Sequence, residues 1–137
     1  MRRPFRYELS LSPNAGGDRI AASARIPADS AWFDGHFPDN PIVPGVALIG
    51  LVEEAVLRSE RDRGRTVEMT GIRRVRFRLP VKPDDPITLQ AVRDVKRGTP
   101  AFSFNVCLEG EIACSGILAV AERSEEHTSE LQSHHPI

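Results

Sequence analysis

The stretch that decides the fold is GHFPDNPIVPGVALIG, Gly35–Gly50. It sets a histidine inside an apolar segment, punctuates it with Pro38, Pro41 and Pro44, and runs directly into a helical pattern. Each proline pins its own φ and pushes the residue before it toward extended geometry, so the segment reads as a stiff loop. Pro44 suits the first turn of a helix, where a missing N–H has no intrahelical bond to lose. From Pro44 to Arg63, PGVALIGLVEEAVLRSERDR is apolar on nearly all sides for two turns and charged afterwards, with Gly64 placed as a cap. The expectation is a helix that starts inside the core and ends in water.

Working outward, FRYELSL (Phe5–Leu11) alternates like a strand, and SPNAGGD supplies a turn. DRIAASARI then puts Ile20, Ala22, Ala24 and Ile26 on one face and Arg19, Ser23 and Arg25 on the other. These two segments predict a hairpin. Beyond the helix, TVEMTGIRRVRFRLP, ITLQAVRDVK, AFSFNVCLE and EIACSGILAVA read as four strands, separated by KPDDP, RGTP and EG turns. Two strands, one long apolar helix and an antiparallel run imply an α+β fold. One sheet wrapped around one central helix is the simplest way to hide that helix.

At 137 residues, with 40% hydrophobic and 27% charged content, the chain is expected to form a single domain around one core. No run approaches the roughly 18 apolar residues of a membrane span, and MRRPFRYELS lacks the apolar heart of a secretion signal. A cytoplasmic location and no membrane partner are therefore expected. Cys107 and Cys114 lack metal-site spacing and read as reduced packing residues, so no metal is expected.

RSEEHTSELQS, Arg123–Ser133, matches the translation of a common sequencing-library adapter. The single domain is accordingly expected over 1–122, with 123–137 a non-native, disordered tail set aside from fold reasoning. That segment contains His127, His134 and His135, so they do not count as a metal cluster, and His36 is the histidine that remains. Without Arg123, Glu125, Glu126 and Glu130, the 18 basic and 19 acidic residues fall to 17 and 16. A near-neutral body points to no nucleic-acid partner.

GHFPDNPIVPGV, Gly35–Val46, resembles the signature loop of the 3-hydroxyacyl-[acyl-carrier-protein] dehydratases, which are hotdog-fold proteins of fatty-acid synthesis. MTGIRRVRFRLPVKPDDPITL resembles the family's next strand and turn, and FNVCLEGEIACSGILAV its closing hairpin, so the likeness covers roughly residues 5 to 121. The resemblance implies dehydration of acyl-carrier-protein or coenzyme A thioesters without a cofactor. It also implies a site formed across a homodimer or higher homo-oligomer, and a hydrophobic channel beside the helix for the acyl chain.

Such a reaction needs a base for the α-proton, a stabiliser for the enolate-like oxygen, and an acid for the departing hydroxide. His36 is the candidate base, because imidazole titrates nearest working pH and Trp32, Phe33 and Phe37 would disfavour its charged form. Gly45 and Val46 fall in the first helical turn, whose N–H groups precede the intrahelical ladder and suit a carbonyl gaining negative charge. Phe37, Pro44 and Gly50 join them as candidate substrate-binding residues. The resemblance places the family's acid, a Glu or Asp, fourteen residues after the histidine, where Gly50 stands. Glu53 and Glu54 follow within one turn, and Glu54 is the candidate relocated acid. Arg74, Arg76 and Arg78 alternate with Val75, Phe77 and Leu79, giving a basic strand face that fits an acidic carrier protein. Two alternatives stay open: a non-catalytic acyl-thioester-binding hotdog subunit, suggested by Gly50, and a hotdog thioesterase.

Overall fold

The computed structural model describes residues 6–13, 16–33, 41–96 and 99–123. Its elements run β1 (Glu8–Leu11), β2 (Arg19–Arg25), a short 3-10 turn (Ala31–Phe33), α1 (Gly45–Asp62), β3 (Thr66–Phe77), β4 (Ile87–Lys96), β5 (Thr99–Leu108) and β6 (Glu111–Arg123). The strands form one antiparallel sheet in the order β1-β2-β4-β5-β6-β3. The helix carries the chain from β2 across to the far edge, so that β3 pairs with β6 and β4 returns beside β2. α1 packs against β1, β2, β3, β4 and β5, which is the wrapped arrangement of the hotdog fold.

The period-2 reading of β2 holds. Ile20, Ala22 and Ala24 are buried and face Ala91, Leu89 and Ile87 of β4 in register, and Ile26 is buried just beyond the strand. Phe102, Phe104 and Val106 of β5, with Leu118 and Val120 of β6, complete the buried face. The EG turn appears as Glu109–Gly110, both at positive φ (51° and 85°), the conformation a two-residue hairpin demands and glycine tolerates. Burial pushes the Cys114 thiol up to about 11, in keeping with a packed, neutral side chain.

The helix corrects one expectation. Its start is only partly buried, and burial continues as far as Glu60 before Arg61 and Asp62 emerge into water. Its buried residues are Ala47, Leu48, Leu51, Val52, Ala55, Val56, Ser59 and Glu60, a single stripe that runs nearly the full length, while Val46 in the first turn is 65% exposed. Each buried Leu or Val contributes roughly 1.5–3 kcal/mol of transfer free energy, which outweighs the roughly 1 kcal/mol that an interior glycine such as Gly50 costs.

The C-terminal end closes as the cap expectation required. Gly64 (φ 81°) donates its N–H to Arg61 O at 2.9 Å, and Arg65 N donates to Glu60 O at 2.8 Å, the paired bonds of a Schellman cap. The Glu60 carboxylate, 1% exposed, also takes Arg65 Nη2 at 2.9 Å and lies 4.0 Å from Arg93 Nε of β4. Among the described residues no helix is long and apolar enough to cross a membrane.

Candidate functional site

Local chemistry fixes the start of α1. Pro44 is the N-cap, extended at φ −61° and ψ 146°, and its carbonyl accepts the first helical bonds from Ala47 N (2.9 Å) and Leu48 N (3.3 Å). The Gly45 and Val46 N–H groups therefore precede the ladder, as the sequence predicts for an anion-stabilising turn. Just upstream, Val43 N donates to Val81 O at 2.7 Å, tying the loop to the chain that follows β3. Phe77, the last residue of β3, lies over the turn: a Cβ built on Gly45 would meet its ring at 2.5 Å. Glycine is required here for close approach. Spacing could not reveal that Phe77 borders this turn, because only the sheet topology brings the end of β3 to the start of α1. His36 and Phe37 lie outside the described residues.

One turn further on, Gly50 opens a cavity of about 120 Å³ lined by Tyr7, Ile26, Trp32, Ala47, Gly50 and Leu51. A Cβ added at Gly50 meets nothing within 4 Å. The aromatic walls come from distant chain segments that a single buried hydroxyl brings together. Ser30 Oγ, fully buried, accepts Arg6 N at 3.0 Å and Trp32 N at 3.4 Å, and the Arg6 side chain pairs with Asp29. On the other side of Tyr7, Leu9 O accepts Arg58 Nη1 at 3.2 Å. Trp32 drew attention in the sequence as an apolar neighbour of His36, whereas Tyr7 is marked there only as the chain's one tyrosine.

Glu54 is half-buried and is not a wall of this cavity. It accepts Arg58 Nε at 2.6 Å and lies 3.9 Å from Arg61 Nη2. Arg58 is held above the ordinary arginine value chiefly by its hydrogen bond to Glu54, with burial opposing and Tyr7 adding to the rise. The Glu54 carboxylate is thus engaged as an acceptor by the guanidinium.

The arginine face is less regular than its sequence. β3 shifts register between Arg73 and Arg76, Arg74 sits at φ 57°, and Arg78 lies past the strand end. The bulge breaks the even alternation of Arg74, Arg76 and Arg78, although all three are exposed. Arg73 and Arg74 instead line a cavity of about 510 Å³ with Asp94, Thr99, Ala101, Ser103, Ile117 and Ala119. Among the described residues no group of His, Cys, Asp and Glu is placed to hold a metal.

Comparison with known proteins fits this geometry. The family model described as ApeI dehydratase, ApeI-like, matches residues 12–117, most of the chain. The chain belongs to the ApeI-like dehydratase family. Within the wider set, it is 32% identical over 124 residues to the 3-hydroxyacyl-[acyl-carrier-protein] dehydratase FabZ of Oenococcus oeni, covering 84% of this chain and 89% of that one. Solved structures share the family's fold at lower identity. The dehydratase heterocomplex ApeI:P from Xenorhabdus doucetiae superposes with a TM-score of 0.67 at 13% identity, covering 89% of this chain and 86% of that one. A hypothetical thioesterase with coenzyme A from Streptococcus pneumoniae gives 0.67 at 12%, covering 85% and 90%.

Proposed function

We propose that this member of the dehydratase family removes water from 3-hydroxyacyl thioesters, carried on acyl-carrier protein, to give trans-2-enoyl thioesters. The observation that carries the reading is the start of α1, where the Gly45 and Val46 N–H groups lead a helix capped by Pro44, directly after the histidine-bearing loop. His36 is the base for the α-proton. The two N–H groups bind the thioester oxygen as it gains charge, and Phe37, Pro44 and Gly50 border the substrate. Arg74, Arg76 and Arg78 are the exposed cations that an acidic carrier protein would meet. The active form is a homodimer, since among the described residues the sheet ends in β3, a 12-residue strand paired on one side alone.

A purified-protein assay with 3-hydroxyacyl and enoyl thioesters tests this. His36→Ala is expected to lose a factor of about 10²–10⁴ in turnover, the contribution of a positioned base. Dehydration by His36→Ala at the wild-type rate removes the assignment. Gly50 favours one second reading, an acyl-thioester-binding subunit whose acid comes from a partner, because the family's carboxylate position is empty of side chain. That reading expects binding without turnover by the chain alone. Release of free thiol in the same assay would instead mark a thioesterase, the class named for one of its structural neighbours.

A further inference from the structure

The reaction proposed above leaves one group unassigned. Hydroxide is a poor leaving group without a proton, Gly50 has none to give, and the Glu54 carboxylate is engaged with Arg58. We infer that the Tyr7 hydroxyl is the proton donor, delivered to the cavity that Gly50 opens, with Arg58 and Glu54 as positioning residues behind it. This inference rests on the dehydratase reading.

Tyr7 and Gly50 line the same cavity, and the remaining walls, Ile26, Trp32, Ala47 and Leu51, carry no acidic or basic side chain. Among the described residues that line it, tyrosine is thus the one ionisable side chain. The segment is fastened on both sides of the ring, by Arg6 N on the buried Ser30 hydroxyl at 3.0 Å and by Arg58 Nη1 on Leu9 O at 3.2 Å. Arg58 is itself gripped by Glu54 at 2.6 Å and interacts with Tyr7. A guanidinium that donates to the phenol oxygen uses its acceptor capacity and leaves the O–H free to donate. Tyrosine is an established type of general acid, and a side chain at position 50 would compete for the same space.

The step balances without a co-reactant. His36 takes the Cα proton, and the Cα–H electron pair becomes the new Cα=Cβ π bond. The Cβ–O bond breaks, and the hydroxyl leaves as water with the phenolic proton of Tyr7. The phenolate, beside Arg58, then takes a proton from solvent while the imidazolium returns one.

Steady-state kinetics of Tyr7→Phe tests the inference, since phenylalanine keeps the ring that walls the cavity. The expected result is a fall in kcat of about 10²–10⁴ with KM little changed, and recovery of turnover in Tyr7→Phe/Gly50→Glu, where a carboxylate returns to the open position. Glu54→Gln is expected to lower kcat less than Tyr7→Phe. If Tyr7→Phe turns over at the wild-type rate while His36→Ala is inactive, Tyr7 is not the donor and the dehydratase reading survives. If wild-type protein forms no enoyl thioester from any 3-hydroxyacyl substrate, both fall together.

Discussion

Gly50 shows how much one absent side chain can decide. In the interior of an 18-residue helix, glycine gives up roughly 1 kcal/mol relative to alanine, and here nothing crowds the place where a Cβ would sit. Gly50→Ala is therefore expected to raise stability by about 0.5–1 kcal/mol, read as a higher urea midpoint at unchanged m-value. A loss of stability would mean that the space is required for packing. Gly45 is the opposite case: its Cβ would strike the Phe77 ring at 2.5 Å. The sequence made Gly50 legible as a departure through the family resemblance, which implies an acid fourteen residues after His36. It could not show that Tyr7 and Trp32 wall the space beside it. Their meeting depends on Ser30 tying together two segments more than twenty residues apart, and no local pattern encodes such a contact.

At the scale of the element, α1 is the part most completely written in local sequence. Its proline start and its glycine end correspond to the observed bounds within one or two residues. What the sequence did not convey is that the helix stays docked as far as Glu60. The charged letters after Ala55 suggested water, yet Glu60 is buried because Arg65 and Arg93 come to it from β3's lead-in and from β4. Breaking a buried pair costs about 3–5 kcal/mol when a charge is left stranded. Arg65 and Arg93 keep 32% and 27% of their side chains in solvent, so hydration recovers part of that. Glu60→Ala should lower the unfolding free energy by about 2–3 kcal/mol, measured by chemical denaturation, with Glu60→Gln milder. An Ala variant as stable as wild type would show that the carboxylate contributes no more than its Schellman backbone already does. β3 makes the converse point. Its alternating arginines looked regular, but the register shift between Arg73 and Arg76 is set by pairing with β6, which lies some forty residues away.

For the whole molecule, the six strands and their turns were readable, but their order was not. Strand order depends on which edges meet after the helix has crossed the sheet, and the outcome leaves two unequal edges. β1 offers four residues and β3 offers twelve. A long edge strand presents a row of unpaired N–H and C=O groups, which folded proteins cover, shorten or charge. On and beside β3, Ile72 and Phe77 are 37% and 54% exposed, and Val46 of the adjoining helix turn is 65% exposed. Arg73, Arg74 and Arg76 charge part of this strand, but the apolar side chains beside them would have no reason to stay in water if the edge remained bare. A second copy pairing through β3 would cover the edge and would set the first turn of α1 beside a neighbouring protomer, which is how a site shared between subunits would be completed. Sedimentation equilibrium is expected to give a dimer for the wild-type chain, and Ile72→Lys, which puts a charge on the edge, should shift it toward monomer with a parallel loss of turnover. A monomeric wild type with full activity would sink the β3 dimer, while a monomeric Ile72→Lys that turns over normally would show that each protomer carries a complete site.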